Sequence, residues 1–202
     1  MKQNKKRLTL IDIVVTVMIA VVFAIVYRLW TPVSDVVGLF GLQAEQLIYG
    51  MWFIAGTIAA LLLRKPGVAF LAEVAAASGE LIAASPYGPL LLMYGIFQGI
   101  GMELAFALFR YKYFNMWVAA LGGMFASFAS LGLDYYNAYL ADLQTWLLTL
   151  RIVFRTVGAV FIAGFLAAAL VKALDKTGVS QLLRPVDQKD YDLFEKRKGD
   201  GK

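Results

Sequence analysis

The stretch Leu10-Ile-Asp-Ile-Val-Val-Thr-Val-Met-Ile-Ala-Val-Val-Phe-Ala-Ile-Val-Tyr-Arg-Leu29 decides the fold class. It is nearly all aliphatic, interrupted only by Asp12, Thr16, Tyr27 and Arg28, and it follows Lys2, Lys5, Lys6 and Arg7. As a helix rising about 1.5 Å per residue it covers the ~30 Å of a bilayer's hydrocarbon core. The run is too long for the core of a cleaved signal, and no small-residue cleavage site follows it, so it reads as a first spanning helix. The whole chain has the same character: 60% of its 202 residues are hydrophobic and 16% charged, against roughly 25% charged in a soluble domain. At about 20 residues per span there is room for about six membrane helices and no separate catalytic domain.

Working outward, Thr31 to Ala44 contains Pro32, Gly38 and Gly41 and reads as a loop. Its apolar Val36, Val37, Leu39 and Phe40 suggest a lid or a re-entrant stretch. Further spans are expected at about 45–63, 68–84, 90–109, 115–133 and 147–170. The third and fourth are joined by the tight turn Ser85-Pro86-Tyr87-Gly88-Pro89, which makes them antiparallel neighbours. The expectation is an all-α integral membrane protein: a single six-helix transmembrane domain over 1–175 and a charged cytoplasmic tail over 176–202.

Lys and Arg placement orients the bundle. With the N-terminus inside, the inner segments hold Lys2, Lys5, Lys6, Arg7, Arg64, Lys65, Arg110, Lys112 and the basic residues from Lys172 to Lys202, while only Arg28, Arg151 and Arg155 fall toward the outside. That asymmetry predicts both termini in the cytoplasm of a cell-membrane protein. It also turns the net charge of +5 into orientation information and removes the case for nucleic acid, which needs a basic face on a soluble surface.

The chain has neither Cys nor His, which excludes disulfides, thiolate or imidazole metal sites, and imidazole acid–base chemistry. No cofactor or metal site is expected. No phosphate loop, G-x-S-x-G or H-E-x-x-H motif occurs, so any ATP hydrolysis must come from partners.

Ionisable groups inside hydrocarbon are costly and point to function. Glu73 and Glu80 are two helical turns apart on one face of the third helix, and Tyr94, Gln98 and Gly101 share a face of the fourth. The antiparallel pair thus places Glu80 and Gln98 on two walls of one outward pocket. The competing reading pairs Glu73 or Glu80 with Arg151 or Arg155 as structural ion pairs. Trp52, Tyr135, Asp134 and Asn137 belong to an outer rim rich in aromatic and acidic residues, suited to a small cationic or aromatic ligand. Small-xxx-small pairs, Ala20/Ala24, Gly56/Ala60 and Gly95/Gly99, allow close helix approach.

Glu73-Val-Ala-Ala-Ala-Ser-Gly-Glu80-Leu, Ser85-Pro-Tyr-Gly-Pro89 and Tyr94-Gly-Ile-Phe-Gln98-Gly-Ile-Gly-Met-Glu103, in a six-helix chain of this size, resemble the substrate-binding S components of energy-coupling factor (ECF) vitamin transporters. The resemblance covers essentially the whole chain and is nearest to the YkoE type, associated with thiamine or its hydroxymethylpyrimidine precursor. It implies an ECF S-component-like bundle that captures a vitamin outside, while a transmembrane coupling protein and two cytoplasmic ATPases supply the work. Glu80 and Gln98 would hold the aminopyrimidine; Tyr94, Trp52 and Tyr135 would stack; Asp134, Asn137 and Glu73 would complete the rim or floor. Ala20 and Ala24 would meet the coupling protein. Two alternatives remain: an S component for another ligand or a scaffold subunit of a membrane complex, and a small intramembrane enzyme using Glu73 or Glu103.

Overall fold

The computed structural model describes residues 8–178, and these fold as six helical segments: α1 (Leu10–Gly38), α2 (Ala44–Leu63), α3 (Val68–Ile82), α4 (Leu90–Leu108), α5 (Met116–Tyr136) and α6 (Thr145–Lys176). All but α3 are long and apolar enough to cross a membrane. The 15 residues of α3 rise only about 22 Å. The third helix is the short one of the bundle, and its last two turns, with Ala77 and Glu80, carry its share of the site. The basic residues before Leu8 and the tail beyond Gly178 lie outside the described residues.

Thr9 starts α1 through a capping box, its backbone N–H donating to Asp12 Oδ2 at 2.6 Å while its hydroxyl accepts from the Asp12 N–H at 3.3 Å. Lys65, at the α2–α3 turn, pairs with the same carboxylate. The helix does not stop at Leu29. It runs through Pro32 to Gly38, so the loop or lid expected over Thr31–Ala44 is corrected to a helical extension and a link of residues 39–43. Proline removes one helical hydrogen bond without ending the helix, and Val33 and Val36 keep an exposed apolar face turned outward beyond it.

The small residues of α1 pack inward. Ala20 and Ala24 are 2% and 5% exposed, and a Cβ on Gly79 of α3 would come within 2.6 Å of the Ala24 methyl. Ala20 and Ala24, expected to meet the coupling protein, are both buried within the subunit, Ala24 against Gly79 of α3. The surface that α1 does present outward is aliphatic, including Ile11, Met18, Val22, Ile25 and Leu29. Lipid is its natural solvent.

Two helices depart from α geometry where they cross. The first half of α2, Ala44–Phe53, is a 3-10 helix, and the middle of α6, Val160–Leu166, is a π-helix. Gly50 and Gly158 let the two backbones touch: a Cβ on Gly50 would lie 2.9 Å from Ala159 Cα, and one on Gly158 would overlap the Leu47 carbonyl.

Where α2 changes from 3-10 to α, its backbone donors are taken by side chains of other helices. The Ala55 N–H donates to Tyr27 Oη (3.0 Å), the Gly56 N–H to Glu73 Oε2 (3.2 Å), and Tyr27 Oη in turn donates to Glu73 Oε2 (3.1 Å). At the start of α3, Glu103 accepts from the Gly67 and Phe70 N–H groups at 2.6 and 3.2 Å. Both acids do from a distance what an N-cap does locally. Beside Glu103, burial and that carboxylate push the Tyr111 phenol up to about 12.

Candidate functional site

A cavity of about 690 Å³ opens at the end of the bundle remote from Leu8 and Gly178, where α1, α3 and α5 end and α2, α4 and α6 begin. That volume falls within the ~300–1,000 Å³ typical of small-molecule sites. Five of the eight expected ligand residues line it: Glu80, Gln98, Tyr94, Trp52 and Asp134.

The wall from α3 and α4 is set by glycine. A Cβ on Gly95 would sit 2.5 Å from the Ala77 methyl and one on Gly99 would sit 3.2 Å from Phe70 Cα, so the two helices pack with almost no side chain between them. This close approach brings Glu80, in the last turn of α3, and Gln98, two turns into α4, to one surface. Glu80 is fully buried; its Oε1 accepts from Ser85 Oγ at 3.1 Å and its Oε2 has no partner. Gln98 Nε2 is likewise buried without a partner, and the Trp52 indole N–H, which faces the Glu80 carboxylate, makes no hydrogen bond of good geometry. Buried polar groups are nearly always hydrogen-bonded. The Gln98 donor and the Glu80 acceptor on one cavity mark the place of a polar ligand.

The aromatic wall follows from the 3-10 geometry of α2. With three residues per turn, Gln46, Tyr49 and Trp52 at i, i+3 and i+6 eclipse one another, and all three line the cavity. Trp52 lies 5.4 Å from the Tyr49 ring and meets Tyr87, from the α3–α4 turn, edge-on at 6.5 Å. Burial, with the Asp35 and Glu80 carboxylates nearby, raises the Tyr87 phenol above its ordinary value, so it stays a neutral donor.

The α5–α6 side carries the ion pairs. Asp134 Oδ2 accepts from Arg151 and Arg155 Nη2 atoms, each at 2.8 Å, and Asp134 Oδ1 accepts from Tyr94 Oη at 2.6 Å. Arg155 is completely buried, donates also to Gln46 (2.7 Å) and Ser130 (3.1 Å), and stands 3.9 Å over the Tyr49 ring. The pairing of Glu73 or Glu80 with these arginines is therefore corrected: among the described residues neither makes an ion pair, and Asp134 serves both cations.

Three expected ligands stand elsewhere. Glu73 shares the α3 face with Glu80 but lies beneath Tyr27, which lines the cavity in its place. Tyr135 is 78% exposed and outside the cavity. Asn137 ends α5, its Nδ2 donating to the Leu133 carbonyl at 2.8 Å. The lining residues that the sequence reading passed over include Tyr27, Ser34, Gln46 and Leu91. Only Gln46 carried a usable signal, its spacing of three from Tyr49.

Residues 11–129 match a family described as the permease component of an ABC-type cobalt transport system. Over 169 residues the chain is 38% identical to a protein of Bacillus subtilis (strain 168) named as a proposed HMP/thiamine permease, YkoE, with 83% of this chain and 85% of that one covered. The fold is similar to the crystal structure of an S-component of an ECF transporter, with a TM-score of 0.82 and 36% identity over 95% of this chain and 96% of that one. The chain belongs to the YkoE type of ECF S components. This S component is accordingly a multi-pass membrane protein and a transport subunit. The intramembrane-enzyme alternative loses its footing too, since its acids, Glu73 and Glu103, are engaged as helix caps.

Proposed function

We propose that this S component captures thiamine or its hydroxymethylpyrimidine relative in the 690 Å³ cavity and delivers it to a coupling protein driven by two ATPases. The observation that carries the reading is the complementarity of the open atoms. An aminopyrimidine offers an amine donor and a ring-nitrogen acceptor side by side. Glu80 Oε2 is a free acceptor and Gln98 Nε2 a free donor, so the pair satisfies the ring edge while Trp52 supplies an aromatic surface. A thiazolium cation suits the remaining carboxylates and rings.

The cavity's orientation follows from the basic residues. Arg64, Lys65, Arg110 and Lys112 belong to turns at the end opposite the cavity, and such residues favour the cytoplasmic side. The cavity then faces outward and both termini inward.

The cobalt in the matched family's description names a second cargo. Thiolate and imidazole ligands for such a metal are absent from a chain without Cys or His, which favours the organic ligand. A binding panel decides. Purified protein should show saturable quenching of tryptophan fluorescence and a thermal shift with thiamine or hydroxymethylpyrimidine and neither with Co²⁺. Silence toward every pyrimidine ligand would overturn the proposal. Co-purification of a coupling protein and ATPases from the native host tests the assembly.

A further inference from the structure

Resting on that reading of the cavity, a second part of it points to the cargo's chemical form. Arg151 and Arg155 both lean on one carboxylate, Asp134, and make no other ion pair. Two guanidinium charges against one carboxylate leave a surplus of one positive charge in a largely desolvated place, where an uncompensated ion is costly. Arg155 has all three nitrogens engaged: Nε with Gln46, Nη1 with Ser130, Nη2 with Asp134. Arg151 does not. Its Nη atoms donate to Gln43 (3.1 Å) and Asp134 (2.8 Å), but its Nε is buried with no partner, and the residue lines the cavity.

The other carboxylates of the cavity, Glu45, Asp35 and Glu80, form no ion pair with either arginine among the described residues. Glu45 Oε1 accepts from Gln46 Nε2 at 2.9 Å. The arginines also stand apart from the pyrimidine wall. The α3 helix packs on α1, α2 and α4, whereas the first half of α6, which carries both arginines, packs on α5 and the 3-10 half of α2. A ligand edge held by Glu80 and Gln98 would leave its far end toward Arg151.

We infer that this arginine end is a subsite for an anionic group, and that the preferred cargo is a phosphomonoester of the vitamin, the phosphate lying remote from the aminopyrimidine. A phosphate oxygen supplies the acceptor that Arg151 Nε lacks and the negative charge that Asp134 alone does not provide.

Equilibrium binding of thiamine, thiamine monophosphate and O-acetylthiamine, a neutral ester, to the full-length protein tests this. The monophosphate should bind at least about tenfold tighter than thiamine, the worth of one hydrogen bond to a charged group, and the acetyl ester should not. Arg151→Gln should erase the preference, bringing the Kd values of thiamine and its monophosphate within about twofold of each other. Equal or weaker binding of the monophosphate by the wild type overturns the inference without reference to any variant and leaves the proposed function standing. A preference that survives Arg151→Gln also overturns it. If thiamine itself does not bind, the proposed function fails first.

Discussion

Replacing Glu80 with Gln separates a ligand-binding acid from a structural one, because the two roles predict opposite effects on the ligand-free protein. Glu80 is fully buried, keeps one bond to Ser85 at 3.1 Å and leaves Oε2 without a partner. The amide preserves shape and an acceptor for Ser85 while removing a buried charge. Deleting a charge of this kind is neutral or stabilising, so the ligand-free variant should unfold at the same temperature or higher. Binding should weaken, since a hydrogen bond to a carboxylate gives way to one to a neutral amide. That exchange costs about 1–3 kcal/mol, or about 5- to 150-fold in Kd. With thiamine at 100 times the wild-type Kd, the ligand stabilises the wild type by about 2.7 kcal/mol; a thirtyfold weaker variant retains about 0.9 kcal/mol. Isothermal titration gives the first number and thermal unfolding with and without ligand gives the second. An unchanged Kd, or a fall in the ligand-free unfolding temperature, would refute the assignment.

Three further substitutions probe how the fold supports the cavity. Gly95→Ala places a methyl 2.5 Å from that of Ala77; overpacking of this kind costs about 1–3 kcal/mol, and thermal unfolding should show it together with weaker thiamine binding as α3 and α4 part. Tyr27→Phe strips Glu73 of one donor and the Ala55 N–H of its acceptor, a loss of about 1–3 kcal/mol that should appear in unfolding of the ligand-free protein, unlike Glu80→Gln. Ala24→Leu pushes a side chain against Gly79, so the isolated subunit should lose about 1–3 kcal/mol. A residue acting only in docking would leave the isolated subunit's melting curve unchanged.

The helices themselves were legible because a membrane imposes a length and a composition on each span, and both can be counted. Their ends were harder to read. Pro32, Gly38 and Gly41 read as loop punctuation, yet the first two stand within α1, since helix-breaking residues lose force where aliphatic side chains have a lipid face to continue along. Local hydrogen-bonding habit also hides in composition: the 3-10 form of Ala44–Phe53 coincides with a glycine contact to a helix about a hundred residues away. The 3-10 form is what brings Trp52 onto the face that Gln46 and Tyr49 share. The pairing of Glu80 with Gln98 was accessible from two facts only, a two-turn spacing and a short proline turn.

Which acid serves the ligand is a matter of what the other acids already hold. Asp12 is engaged by Thr9 and Lys65, Glu103 by the start of α3, Glu73 by Tyr27 and Gly56, and Asp134 by two arginines and a tyrosine. Each assignment closes a debt created elsewhere in the fold: an uncapped helix, a change of helix type, a buried cation. Apart from the local Thr9–Asp12 box, none of those needs is visible along the chain, because each is defined by groups that only packing strands. Unlike any of these four carboxylates, Glu80 both lines the cavity and keeps an oxygen free. Its neighbour Asp134 lines the same cavity with both oxygens spent, so a cationic or amine-bearing ligand gains a partner at one wall and meets an arginine surplus at the other. A site charged in this way orients a dipolar ligand end to end. Neutralising the two walls by exchanging Glu80 for Gln and Arg151 for Gln should therefore act on different ends of thiamine monophosphate, with effects on its Kd that add.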